Sequence, residues 1–262
     1  SGQRVEVINA GVRSYSPVIY YIQIRYYLEP FDPDVVVLNI DMTDDFDDFK
    51  YRETLMLDDE GNPWAAPRRD IFRSAYLDTL DGPVALGPRE KVQLWLYTHS
   101  NIFRYLLSSR PPPRLTDREF QDLLGYSRWK WVEHEWDEAT EENVAFTLGM
   151  IGRIADYCRS AGIQLVLTAV PHYEQFVGVD GERRWSLRPH REIKRVAKAH
   201  GAVYLDAHAA MQARIDGTPQ WAWYAKGDMH FNVRGYKLWA DVQAALLMRN
   251  GFGFLEEPSH RR

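Results

Sequence analysis

Apolar positions along this chain fall into two alternating rhythms, short unbroken runs and longer stretches with helical spacing. Val5 to Gly11 (VEVINAG) is a short apolar run closed by a glycine turn, which predicts a buried strand. Ser16-Pro17 then opens a helix. Proline suits the first turn, and apolar or aromatic positions continue through Ile19, Ile22, Tyr26 and Leu28. Phe31-Asp32-Pro33 breaks it. Asp34 to Ile40 (DVVVLNI) is a continuous run rich in β-branched side chains, the pattern of a strand covered on both faces within a parallel sheet. The opening segment therefore predicts a β-α-β unit with a right-handed crossover.

From about residue 48 to 137 the alternation stops. Tyr51–Leu57 and Asn62–Trp64 flank Asp58-Asp59-Glu60-Gly61 and predict a hairpin. Helical patterns follow over 69–80 and 91–107, the second closed by Pro111-Pro112-Pro113. Thr116 with Glu119 has the capping-box spacing of one more short helix. This stretch is expected to be an insertion within one α/β domain spanning 1–262, covering a face of the core and shaping a cleft. Beyond it the rhythm resumes with helix Glu138–Ser160, strand Ile163–Val170 (IQLVLTAV), helix Leu187–His200, strand Ala202–Leu205 and closing helix Val233–Asn250. That order predicts a doubly wound sheet with its chemistry at the strand carboxyl ends. The places to inspect are Gly11, Asp41–Asp45, Val170–His172 and the loop before the last helix.

Composition narrows the function classes. A chain of 262 residues, 45% of them hydrophobic, can fill one large α/β core. A net charge of −5 and a pI near 5.9 leave no basic excess to neutralise phosphates, which argues against a nucleic-acid partner. No apolar run approaches the ~20 residues needed to span a bilayer, and no signal-peptide pattern opens the sequence. Cell envelope, periplasm and cytoplasm all stay open as locations. The single cysteine, Cys158, sits in an apolar helical pattern and reads as a small core residue, which excludes an intramolecular disulfide framework. No His-Glu-x-x-His, Walker loop or Gly-x-Gly-x-x-Gly occurs, so neither a metal nor a nucleotide cofactor is expected. Nine Trp and fifteen Tyr point to amphipathic surfaces such as a sugar-binding cleft or an interface.

The strongest local signal for chemistry is Gly227-Asp228-Met229-His230-Phe231-Asn232, with Gly235 beyond it. A carboxylate two residues from an imidazole can fix its tautomer and stabilise the imidazolium formed when it takes a nucleophile's proton. On its own, the same loop also reads as polar residues capping a helix, with Asn232 as N-cap.

Three blocks stand in order: Asn9-Ala10-Gly11 after a strand, Pro33-Asp34 leading through a strand into the polar turn ending at Asp45, and Asp228-x-His230-x-Asn232-x-x-Gly235. Together they resemble the SGNH/GDSL family of hydrolases and acyltransferases. The resemblance covers about 4–45 and 138–250, and the region between is unmatched. It implies a flavodoxin-like, three-layer α/β fold in which a serine after the first strand attacks an acyl carbonyl. Carried over by position, His230 is the base, Asp228 its orienter and Gly11 a backbone oxyanion donor. Where the family has Gly-x-Asn-Asp, this chain has Asp41-Met42-Thr43-Asp44, so Thr43, or Asp44 one position along, replaces the oxyanion asparagine. A hydroxyl can donate there, whereas an ionised carboxylate would repel an oxyanion. The acidic run Asp44, Asp45, Asp47, Asp48 reads as a solvated turn rather than a cation site.

The family's Gly-Asp-Ser block is absent from the sequence. The resemblance therefore implies an upstream segment completing the sheet, roughly 40–60 residues for one β-α unit, or a separate segment filling the gap. Ser14 and Ser16, the nearest serines, read as turn and capping residues. His172, leaving the strand IQLVLTAV, is a candidate substrate contact, while His99 and His134 belong on helix surfaces of the insertion. The expected function is hydrolysis or transfer of an O-acyl group such as acetyl, with a small-molecule or glycan ester as substrate. The rival is a non-catalytic domain of the same fold that binds a glycan or a protein, and a third reading is a scaffold using the insertion as interface.

Overall fold

The computed structural model describes residues 6–12, 15–42, 44–52, 55–66, 78–79, 82–83, 129–225 and 229–252. Helix α1 (Pro17–Gln23) starts where Ser16-Pro17 predicts it, and widens into a π turn at Ile24–Leu28. It stops at Asp32, whose φ of +46° is left-handed and cannot continue a helix. Strand β1 (Val35–Asp41) follows, then a 3-10 turn over Asp44–Tyr51. The expected hairpin forms from β2 (Met56–Leu57) and β3 (Pro63–Ala65), shorter than the pattern suggested because Tyr51 ends the 3-10 turn.

Two compact units emerge. Residues 1–66 with 129–262 form one, and 67–128 the other. Within the second, β4 (Asp78–Thr79) and β5 (Gly82–Pro83) make a small antiparallel hairpin. The helix expected over 69–80 therefore does not run through Asp78–Thr79, where Gly82 just beyond favours a turn. The helical patterns at 91–107 and after Thr116, and His99, lie outside the described residues.

Helix α2 (Glu138–Ser160) has the predicted bounds. Asp137 caps it, its carboxylate accepting from the Thr140 N–H at 2.8 Å. Val144, Leu148, Ile151, Ala155 and Cys158 form its buried stripe at helical spacing. Cys158 is a fully buried free thiol, and burial pushes its pKa up to about 11. Strand β6 (Gln164–Val170), helix α3 (Arg188–Ala199) and strand β7 (Val203–Leu205) come where the alternation places them. Helix α4 (Ala207–Ile215) was not anticipated, and its signal was Asp206, an N-cap accepting from the Ala209 N–H. Helix α5 (Val233–Arg249) closes the domain.

The three longer-range strands form a parallel sheet in the order β1-β6-β7, with Val35 beside Gln164 and Val166 beside Val203. One face carries Val166 and Leu205, packed against Leu246 and Leu247 of α5. On the other face α3 sets Lys194 over the Tyr204 ring. The chain is thus mixed α/β, with five α-helices and this sheet among the described residues.

Two expectations fail in one region. Residues 6–12 make no strand: Glu6 to Asn9 are exposed and no described strand pairs with them. An apolar run without a ladder partner gains no strand hydrogen bonds and is not a strand. Nor is β1 covered on both faces. Leu38 and Ile40 are buried, yet Val37 on the opposite face is 42% exposed. The strand lies at the sheet's edge, and the helix on that face packs chiefly over β6 and β7.

Candidate functional site at the carboxyl end of the sheet

β1 and β6 end side by side, Asp41 beside Val170, so both exits open at one end of the sheet. There two residues of the acidic turn fold inward instead of staying solvated, while the side chains of Asp44 and Asp47 lie outside the described residues. Asp45 and Asp48 are fully buried. The Asp45 carboxylate accepts the Asp41 N–H, and Asp48 accepts the Val18 N–H at 2.7 Å, serving a helix end from a distant loop. Burial, reinforced by the negative charge of Asp41, pushes the Asp45 carboxyl well above its usual range, against hydrogen bonds from Tyr20 and the Asp41 backbone. Among the described residues no group of three or more His, Cys, Asp or Glu could hold a metal.

His172 is the next residue out from β6 after Pro171. Its ring is only 3% exposed, and Nε2 lies 3.5 Å from the Asp41 carboxylate. Trp129 and Trp185 flank it, with ring centroids at 6.1 and 5.6 Å. Gln175 holds it from behind, Oε1 accepting the His172 N–H at 3.1 Å while its Nε2 donates to the Ser186 carbonyl at 3.0 Å. His190 Nε2 is 3.0 Å from the same Oε1. Burial, with His208 nearby, lowers the His190 pKa to about 3, so the ring is neutral and its Nε2 donates. As a candidate substrate contact, His172 thus faces Asp41 and indole rings rather than open solvent.

The loop before α5 docks on this same exit. Tyr224 and Phe231 form an antiparallel bridge, and the buried Tyr224 hydroxyl donates to the Pro171 carbonyl at 2.8 Å. His230 sits on that hairpin with an exposed side chain, its carbonyl accepting the Ala225 N–H at 2.9 Å. The rest of the block has a plain structural use. Asn232 caps α5 through the Gly235 N–H at 3.0 Å, and its amide donates to the carbonyls of Trp221 and Tyr224. A Cβ on Gly235 would fall 2.0 Å from the Trp223 carbonyl, so only glycine fits. Asp228 lies outside the described residues.

Gly11 is exposed, and its N–H points at the Asn9 side chain, 3.1 Å away. Thr43 and the Asp44 side chain lie outside the described residues, as does Ser14. Ser16 is 1% exposed, and its backbone carbonyl begins α1, so it is closed to any substrate. His134 is exposed on a bend preceding α2 rather than on a helix. Sequence reasoning missed Gln175, Trp129 and Trp185. Gln175 carried a faint signal, three residues after His172 at capping spacing, whereas the tryptophans carried none.

No family model, no curated protein and no solved structure matches the chain. Among the described residues no helix is long and apolar enough to cross a membrane.

Proposed function

We propose that this protein is an SGNH-type esterase or O-acyltransferase of flavodoxin-like architecture, acting on an acyl ester such as an acetylated carbohydrate. His230 acts as base and then acid, Asp228 orients it, and the nucleophilic serine comes from polypeptide upstream of Ser1. The observation that carries this reading is the tie between Tyr224 and Pro171, which sets the His230 hairpin against the exit of β6. An exposed imidazole on a short braced hairpin can reach a nucleophile at the carboxyl end of a parallel sheet.

The serine hydroxyl adds to the ester carbonyl while His230 takes its proton. Collapse of the tetrahedral intermediate expels the alcohol, which receives that proton and leaves an acyl-serine. Water or a sugar hydroxyl then gives its proton to His230 and takes the acyl group, restoring the serine.

Hydrolysis of p-nitrophenyl acetate by the upstream-extended chain tests the proposal. His230→Ala is expected to lower kcat by about 1000-fold or more, with KM little changed. The rival reading, a non-catalytic domain that binds a glycan or protein, is favoured by the engagement of the Gly11 N–H with Asn9. Absence of turnover, with ligand binding unaffected by His230→Ala, would decide for that rival.

A further inference from the structure

Helix α3 turns a cationic face to solvent on a chain whose net charge is −5. Its buried side is Pro189, His190, Ile193 and Ala197. Four of its five exposed positions are basic, Arg191, Lys194, Arg195 and Lys198, and the other is Ala199. Helical spacing sets these cations on one side of α3, spread over about 10 Å of its length. Arg183, in the loop that leads into α3, adds a fifth charge. Burial, and after it the positive charge of Arg183, lowers the His208 pKa, which places that guanidinium near the start of α4. Lys194 reaches the same place, 3.4 Å from the carboxylate of Asp206 that caps α4.

Only two of these five charges are paired within the protein. Lys194 pairs with Asp206, and Arg195 with Glu192 at 2.7 Å, while the neighbouring Arg188 is taken by Glu141. That leaves Arg183, Arg191 and Lys198 with no ion pair among the described residues. The Nε of Arg183 is also buried without a hydrogen-bond partner. A guanidinium offers five donors and no acceptor, and a buried donor left unmade costs stability. An anion arriving from outside offsets that cost and pairs with the open cations along the helix.

We propose that this face binds a linear acidic polysaccharide, whose carboxylates engage Arg183, Arg191 and Lys198. The apolar side of α3 already lies in the core, so no side chain is left to insert into a lipid surface. A flat anionic surface would also face the acidic remainder of the chain, whereas a single polymer strand meets only charges within the ~8 Å screening length. Nucleic-acid bases need exposed aromatic rings to stack on, and α3 exposes none. Pyranose rings hold successive carboxylates at a set spacing, so less freedom is lost on binding than by a flexible acidic peptide. Because α3 connects the parallel strands β6 and β7, it begins at the carboxyl end of the sheet. A sugar chain lying along it therefore extends toward the end where His172 and the His230 hairpin stand. The binding goes beyond acyl transfer and does not rest on it.

Isothermal titration of the full protein with polygalacturonate tests this, with neutral dextran as the control that should not bind. Affinity is expected to fall by about tenfold or more between about 50 and about 200 mM salt, as pairing with the polymer releases counterions. Arg191→Ala combined with Lys198→Ala should weaken binding by about tenfold, and Arg183→Gln by a similar factor. In the unsubstituted protein, where no variant has to fold, the NMR shifts caused by polygalacturonate should fall on the amides of 183–199. Four results overturn the proposal: no binding at the lower salt, equal binding by the variants, shifts lying only outside 183–199, or tighter binding of polyglutamate, oligothymidylate or anionic lipid vesicles. No ester is present in these measurements, so their failure is told apart from a failure of acyl transfer.

Discussion

Two histidines stand at the same end of the sheet and are held in opposite ways. His172 is enclosed by two indoles, and its backbone is fixed by Gln175, itself braced by His190 and Ser186. His230 is exposed on a hairpin whose bracing comes from backbone bonds and from Tyr224 below it. A general base must reach a proton on a group that arrives from outside, and only the second arrangement allows that. The first makes a rigid floor. Position at a strand exit is therefore a poor guide to role until the side chain's own surroundings are known.

The largest test of that contrast removes the brace. Gln175→Ala would leave the His172 N–H, the His190 Nε2 and the Ser186 carbonyl without their partner in a buried setting. Each such loss costs about 1–3 kcal/mol, so a total destabilisation of about 3–5 kcal/mol is expected after partial rehydration. Urea unfolding measures it, and the NMR shifts of the His230 ring should hardly move. A loss below about 1 kcal/mol would show that His172 is not locked.

Why could the sequence separate these two histidines only in part? The alternation of runs and helical stretches located β1, β6, β7, α1, α2, α3 and α5, because each buries a face whose period is written in the chain. The polar turn after β1 was misread because burial of Asp45 and Asp48 depends on backbone donors at Asp41 and Val18, and Val18 is thirty positions from Asp48. The Asn232-x-x-Gly235 portion was legible as a cap, and its glycine is explained by the Trp223 carbonyl, which local pattern cannot reveal. Trp129 and Trp185 reach His172 through tertiary packing alone. The run Val5–Gly11 reads as a strand, yet its described part, Glu6–Gly11, is not one, since a strand is defined by its neighbour.

A second test uses pH. His190 keeps a pKa of about 3 in the folded protein, through burial first and His208 second, against about 6.5 when unfolded. Between these values the unfolded state binds the extra proton, so this group's contribution to stability is complete above pH 6.5. It is lost as pH falls toward 3, at about 1.4 kcal/mol per pH unit once well below 6.5. His190→Gln keeps a donor for Gln175 and cannot titrate. Urea midpoints at pH 7, 6 and 5 should fall less steeply in the variant than in the parent. Equal slopes would mean that the floor beneath His172 admits a charged imidazole.

The smallest expected effect lies at Asp45, which accepts the N–H of the Asp41 that faces His172. Its folded pKa is raised, so below pH 3.8 both states are protonated and the group contributes nothing. As pH rises the unfolded carboxyl ionises first, and a penalty for the buried site grows until the folded carboxyl ionises too. Asp45→Asn keeps an oxygen to accept the Asp41 N–H and sets an amide near the Asp41 carboxylate whose charge opposed ionisation. The variant should match the parent at pH 3.5 and exceed it by about 1 kcal/mol at pH 7, a gain expected when a buried carboxyl whose ionisation its surroundings oppose gives way to a neutral amide. Because this penalty runs against the His190 slope, the variant should also lose stability more steeply between pH 7 and 5. A variant less stable than the parent at pH 7 would instead mean that the ionised carboxylate is what holds the exit of β1 in place.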